Sequence, residues 1–289
     1  MVYQGEAFSP GHITAFFVGH EDPDPMRKGS RGAGLCTALG VHTTVRARTA
    51  RAQSIEVFLN DAEDPARTTR AAIHRVVGDA AYDLKVLSRV ELPVSQGFGM
   101  SGAGALSAAL AVDDALGRGM RRDDLVAAAH AADVAALTGL GDVVPESLGG
   151  MDLREAPGAP PHAVVQRTPV DSELLLGVIG PPFPKSRVLG DPTAMARIAK
   201  SGEACLGEFA SDRTLPNLFR LGRRFSVDAG VMSPKVAECL AAVSAYGRAS
   251  MAMLGNSVFS LGGEIAATIL RGFGTVYRTL VENEGARLA

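Results

Sequence analysis

The chain has 289 residues, 46% hydrophobic and 21% charged, with 29 basic against 31 acidic side chains, so it can bury a large core without staples and offers no charge excess for a polyanion such as nucleic acid. Cys36, Cys205 and Cys239 lie far apart, with no C-x-x-C and no histidine nearby at ligand spacing, which excludes a zinc ribbon or disulfide framework and points to a reducing cytoplasm. MVYQGEAFSPGH lacks the regions of a leader and the most apolar run, LLLGVIG (174–180), is far short of a membrane span, so the chain reads as cytoplasmic, complete from Met1 and without a membrane partner.

In chain order, GSRGAG (29–34) is a glycine-rich segment carrying Arg31, whose planar guanidinium suits a carboxylate or phosphate. SIEVFLN (54–60) and LKVLSRVEL (84–92) alternate with period two and predict strands. Between them DPARTTRAAIHRVVG predicts a helix with Asp64 as N-cap, Pro65 at its first position and Gly78 as its stop. After the glycine loop QGFGMSGAG (96–104), two alanine-rich helices follow, ALSAALAVDDALG (105–117) and DDLVAAAHAADVAALTG (123–139). Residues 140–162 are dense in Gly and Pro and mark a transition between domains 1–155 and 156–289. AVVQRTPV and LLLGVIG then predict strands. Asp191 with Pro192, and Ser233 with Pro234 and a terminal Gly247, bracket two helices. SMAMLGNSVFSL (250–261) alternates as two strands around Gly255 and Asn256, and the mixture suggests α+β layers.

Gly97, Gly99 and Gly102 have the spacing G-x-G-x-x-G. A dinucleotide turn needs a strand after the next helix, ending in an acidic residue about 20 positions on. Here helix follows helix, and Asp113 and Asp114 fall inside the first. A Walker loop is closed off because no glycine-lysine-serine or glycine-lysine-threonine step occurs. What remains is a nest. A strand ends at Leu92 and Pro93, glycines 97, 99, 102 and 104 let N–H groups curl around an anion, and a helix from near Ala105 aims its positive end there. Such a nest suits a triphosphate, with Ser101 adding a hydroxyl for a phosphate oxygen or Mg²⁺. The plain alternative is a turn that permits tight strand-to-helix packing.

PVSQGFGMSGAG (93–104) resembles the phosphate loop P-x-x-x-G-L-G-S-S-A-A of the GHMP kinases: Pro93, Gly97, Gly99 and Ser101 match, while Phe98, Met100 and Gly102 depart from it. FSPGHITAFF (8–17) is similar to the family's first motif, a Pro-Gly turn ending the N-terminal strand, with His12 where many members carry lysine or arginine. ASMAMLGNSVFSL (249–261) is similar to the third, a glycine hairpin, though it retains only Gly255 of the usual cluster. The resemblance implies an α+β GHMP kinase fold. Its N-terminal domain would be like ribosomal protein S5 domain 2 and its C-terminal domain ferredoxin-like, with the site between them.

The activity implied is transfer of phosphate from ATP, with Mg²⁺, to the hydroxyl of a small hydroxy acid. Pantoate stands first among the acceptors, with shikimate, homoserine and mevalonate as alternatives. Pro93, Gly97, Phe98, Gly99, Met100, Ser101, Gly102 and Ala103 would hold the nucleotide. Asp142, seven residues before Gly149, takes the place of the family's catalytic aspartate. A carboxylate there removes the hydroxyl proton as the phosphoryl group departs, an effect worth roughly 10²–10⁴ in rate. Ser101 and Asp133 are the metal candidates. His12, Arg31, Lys185 and Arg187 are the candidates for binding substrate. A structural, hydrogen-bonded His12, a turn-forming Asp142, a solvated Asp133 and ordinary surface charges at Arg31, Lys185 and Arg187 are the alternatives. A non-catalytic ATP sensor on the same fold competes with the kinase, and apolar strand edges offer a surface for a homodimer.

Overall fold

The computed structural model describes residues 2–183 and 185–289, without the side chains of Ser186 and Arg187. The first half runs β1 (Tyr3–His20), β2 (Gly29–Thr49), β3 (Ser54–Leu59), β4 (Ala62–Glu63), α1 (Arg67–Val77), β5 (Tyr82–Val90), α2 (Met100–Leu116), α3 (Arg122–Ala135), α4 (Val143–Leu148), β6 (Met151–Ala156) and β7 (Val164–Thr168). The second runs β8 (Glu173–Val178), α5 (Lys185–Leu189), α6 (Pro192–Ser211), α7 (Leu215–Asp228), α8 (Pro234–Val243), β9 (Gly247–Met251), β10 (Ser257–Gly262), α9 (Glu264–Arg271) and β11 (Thr275–Leu280). A final strand, β12 (Arg287–Leu288), returns to pair with β1. Among the described residues no helix is long and apolar enough to cross a membrane.

The α+β layering expected from the sequence is present. One sheet is ordered β12-β1-β2-β5-β3-β4, with β6 added to β2 and β7 to β6. Among the described residues only β3 and β5 pair in parallel, joined across α1, as the strand–helix–strand pattern of 54–92 requires. Val45, Val57, Ile73, Leu84, Val86 and Leu106 close the core between this sheet and α1–α3. The second sheet, β11-β8-β10-β9, is antiparallel throughout. Its strands lie in the spatial order 4-1-3-2, with helices in both crossovers, which is the ferredoxin-like arrangement. A second core spans both sheets: Phe16 of β1 packs edge-on to Phe209 of α6 at 5.7 Å, and Phe219 lies 4.6 Å from Phe259.

Several expected boundaries move, each for a local reason. The sheets change between Thr168 and Glu173, beyond the boundary expected at 155–156, because β7 pairs with β6 in the first sheet. Asp64 does not cap α1; its Oδ1 accepts from the Ala66 N–H at 2.7 Å and shapes the turn before a helix that starts at Arg67. Asp191 and Ser233 do cap α6 and α8, accepting from Thr193 and Val236. Gly247 opens β9, and α8 ends earlier, at Val243. Pro10 and Gly11 form no terminal turn: β1 runs through them, and the pairing with β2 shifts register there. That irregularity is where the phosphate loop docks. The His12 N–H donates to Phe98 O at 3.1 Å, and a Cβ on Gly11 would lie 2.6 Å from Met100 Cε.

Candidate active site

The loop between β5 and α2 is tighter than the glycine spacing suggests. Ser95, Gly97 and Gly99 take positive φ (62°, 81° and 72°), a region that favours glycine. Gly99 is the N-cap of α2, and no side chain caps that end. The helix therefore begins at Met100 rather than near Ala105, and Gly102 and Gly104 lie inside it, Gly102 still within its first turn. Gly102 has a packing reason: a Cβ there would lie 2.9 Å from Glu146 Oε2. Ala103 is likewise a buried helical residue. The uncapped N–H groups of the first turn, with the positive end of the helix, make an anion site.

Three connected spaces surround this end. A cleft of about 230 Å³ is lined by Pro93, Gly97, Phe98, Gly99, Met100, Ser101, Gly102, Asp142 and Lys185. A larger cavity of about 850 Å³, between α1, the loop and α3, shares Met100, Ser101 and Thr138 with it. On the other side a small space of about 40 Å³ lies between Thr14, Ser30, Leu140 and Met253 and shares Asp142 and Lys185. Ser101 thus stands at one junction and Asp142 at the other. Lys185 Nζ donates to Thr138 O at 3.0 Å, which fixes its ammonium at the second junction.

Asp142 precedes α4, and its carboxylate belongs to a closed ion cluster. Oδ1 accepts from His12 Nδ1 at 3.0 Å and from the Thr14 hydroxyl at 3.2 Å, and Arg154 Nη1 lies 3.8 Å away. His12 Nε2 lies 2.7 Å from Asp152 Oδ1, and Arg154 Nε lies 3.5 Å from Asp152 Oδ2. Arg154 Nη2 donates to Thr14 Oγ1 at 3.2 Å, closing the ring. Two cations face two carboxylates, with His12, Asp152 and Arg154 buried, so the charges are paired as burial requires. Burial raises the Asp142 pKa, but the His12 hydrogen bond and the charges of His12, Lys185 and Arg154 outweigh it and hold the carboxyl well below the usual carboxylate range. Burial lowers the His12 pKa, and the two aspartates more than reverse that, so the imidazole lies above its ordinary value.

The GSRGAG glycines make room for this cluster. A Cβ on Gly34 would lie 2.6 Å from His12 Nε2, and one on Gly32 would lie 2.8 Å from Arg154 Nη2. The expectation that His12 touches substrate is thereby corrected: it is buried and both ring nitrogens are taken by carboxylates. Arg31 is also relocated. Its guanidinium pairs with Glu203 of α6, and it lines none of the three spaces. The Arg187 side chain lies outside the described residues. Asp133 is buried beneath the turn after α3, where Oδ1 accepts from the Thr138 hydroxyl at 2.6 Å. Burial first, and the charge of Asp142, push its carboxyl up to about 6 against that hydrogen bond.

Sequence reasoning passed over Thr14, Glu146, Asp152 and Arg154. Asp152 and Arg154 carried a readable signal, since charges at i and i+2 of a short strand share one face. Glu146 carried none. Neither of its carboxyl oxygens finds a hydrogen-bond partner, and both sit against Gly99 and Gly102 under the phosphate loop. Burial, then the charges of Asp142 and Asp133, drive it well above the ordinary carboxyl value.

The family profile described as "GHMP kinases N terminal domain" matches residues 66–150, from α1 to the end of α4. A curated relative named pantoate kinase from Thermococcus kodakarensis is 30% identical over 265 residues, covering 88% of this chain and 86% of that one. A pantoate kinase from Methanocaldococcus jannaschii is 28% identical over 261 residues, 88% of this chain and 91% of that one. A solved structure titled "Phosphotransferase related to CoA biosynthesis pathway" superposes with a TM-score of 0.88 at 26% identity, covering 100% and 99% of the two chains. The chain belongs to the GHMP kinase family and has its α+β fold.

Proposed function

We propose that this chain is an ATP-dependent kinase that phosphorylates a hydroxyl of pantoate, giving ADP and 4-phosphopantoate for coenzyme A synthesis. The observation that carries the reading is the place of Asp142, an ionised carboxylate between an anion-binding cleft and a small neighbouring space. The kinship with relatives named pantoate kinase along most of the chain supports the acceptor. The nucleoside lies in the larger cavity, its phosphates rest on the first turn of α2, and the acceptor lies beyond Asp142. Pantoate carries a carboxylate, which calls for a cation, and Lys185 lines the acceptor space.

In the reaction the acceptor hydroxyl oxygen bonds to the γ-phosphorus as the bond from that phosphorus to the ADP oxygen breaks. The hydroxyl proton passes to Asp142 and from there to solvent. Oδ1 of Asp142 is occupied by His12 and Thr14; Oδ2 takes no hydrogen bond among the described residues and is the oxygen left for the hydroxyl. A carboxylate this acidic orients the hydroxyl throughout and takes its proton late, which fits a loose, metaphosphate-like transition state.

The oxygen donors fit Mg²⁺. Ser101 offers a hydroxyl in the cleft, whereas Asp133, a buried carboxyl bonded to the Thr138 hydroxyl, lines none of the three spaces. Among the described residues no group of three His, Cys, Asp or Glu side chains is placed to hold an ion unaided. Ser101 would therefore share it with phosphate oxygens. When bound, Mg²⁺ neutralises charge building on the phosphates. The three cysteines are free and buried, and we place the enzyme in a reducing cytoplasm.

Purified protein given ATP, Mg²⁺ and pantoate is expected to release ADP and form phosphopantoate. Turnover with homoserine, mevalonate or shikimate but not pantoate would keep the kinase and reject the acceptor. No ADP release with any of them would reject the enzyme.

A further inference from the structure

The Asp142 carboxylate is held by His12, and His12 is held by Asp152. Its two ring nitrogens lie 3.0 Å from Asp142 Oδ1 and 2.7 Å from Asp152 Oδ1. An ionised carboxylate only accepts, and a neutral imidazole has one N–H. Both contacts are therefore satisfied together only by the doubly protonated ring. Arg154 Nε stands 3.5 Å from the second oxygen of Asp152, so that carboxylate lies between His12 and a guanidinium. Gly34 leaves the space in which His12 and Asp152 meet, since a Cβ there would lie 2.6 Å from Nε2.

We infer that Asp152 and His12 form a positioning pair for the base: Asp152 keeps His12 an imidazolium, and His12 fixes Asp142 with its Oδ2 left for the acceptor hydroxyl. This deepens the kinase reading and rests on Asp142 being its base. Neither residue touches substrate; each acts through the next. An ammonium or guanidinium in the place of His12 would need no such partner, because it keeps its charge unaided at neutral pH. A histidine does need one, and buried Asp152 supplies it. Without Asp152 a buried imidazole loses its proton near neutral pH, its Nδ1 is free to become an acceptor, and Asp142 is no longer held.

Other ionisable groups face the cluster. Glu146 stands on α4 with Asp142, Arg154 on β6 with Asp152, and Cys36 is on β2. Lys185 of α5 helps to lower the Asp142 pKa, and the Asp142 charge in turn raises the pKa of Asp133 and of His130 on α3. Burial holds Glu146 and Cys36 in their neutral forms. Arg154 adds positive charge and works against a second proton on His12. Only the two aspartates it touches raise its basicity.

The test is Asp152→Asn, read by the pH profile of kcat and by NMR of the ring signals of His12, assigned with His12→Gln. In the wild type His12 is expected to titrate above an ordinary imidazole. In Asp152→Asn it should titrate lower, and kcat should fall roughly 10- to 100-fold, the size seen when a carboxylate orienting a functional histidine is lost. That loss should deepen as pH rises, with the KM for ATP unchanged. Unchanged kcat and an unchanged His12 titration in Asp152→Asn would overturn the inference. If Asp152→Asn does not fold, the wild-type titration decides alone, since a His12 ring neutral at pH 7 contradicts it. Asp142→Asn serves as the separate control. If it keeps full activity, the base assignment fails, whereas a dead Asp142→Asn beside an unaffected Asp152→Asn rejects the pair alone.

Discussion

The phosphate loop and the Asp142 cluster lie on two sides of one cleft and are built on opposite principles. The loop offers backbone: positive-φ glycines, an uncapped helix end and a single hydroxyl. The cluster offers side chains: two cations and two carboxylates locked in a ring, with Thr14 as the bridge. A backbone site binds an anion of any source that fits its curve, whereas a locked carboxylate acts on one proton in one place. In the proposed reaction binding and chemistry are carried by different materials, and substitutions should separate them.

The largest expected effect lies on the cluster side. Asp142→Asn should lower kcat by about 10²–10⁴, measured as ADP release at saturating ATP and pantoate. A loss of less than twofold would move the base elsewhere. On the loop side, Ser101→Ala removes one hydroxyl from charged partners and should cost roughly 10- to 100-fold in kcat/KM for ATP, with a higher Mg²⁺ requirement.

Glu146 joins the two regions and gives a stability effect with a definite sign. Its folded pKa lies well above the ordinary 4.5, so the folded chain holds a proton that the unfolded chain releases. The stability due to this is complete below about pH 4.5 and is lost as pH rises through the folded value. Glu146→Gln keeps the shape without the charge. Its Tm should therefore gain on the wild type as pH rises above about 4.5, and a difference that stays constant with pH would contradict a buried neutral acid. The smallest effect belongs to Arg31→Ala. An exposed pair with Glu203 is worth about 0–1 kcal/mol, and kcat/KM for both substrates should stay within about twofold.

The two regions also differed in how far they could be read from sequence. The loop is contiguous, and its glycines, Ser101 and flanking elements suffice to propose an anion nest from the sequence alone. What could not be read there was the start of α2: Gly102 and Gly104 resemble loop residues until Glu146 is seen packed against Gly102. The cluster draws on positions 12, 14, 142, 152 and 154, brought together because β1 and β6 both pair with β2. Asp142 was legible through its motif, but its partners were not. His12 was noticed and read either as a substrate contact or as a structural hydrogen-bonded histidine, and sequence cannot show that both its ring nitrogens are taken. Arg31 sat in a glycine-rich segment that looked like a second cradle, yet those glycines leave room for His12 and Arg154 instead.

The division between a backbone that binds and a cluster that reacts is tested most directly by calorimetric titration of a non-hydrolysable ATP analogue into wild type, Asp142→Asn and Gly99→Ala. Gly99 has φ 72°, and a Cβ there would lie 2.8 Å from the His12 nitrogen, so the alanine must distort the loop at a cost of about 1–3 kcal/mol. The expected result is an affinity within about threefold of wild type for Asp142→Asn and at least about tenfold weaker for Gly99→Ala, which corresponds to 1.4 kcal/mol. Equal weakening in both variants, or none in Gly99→Ala, would contradict the account.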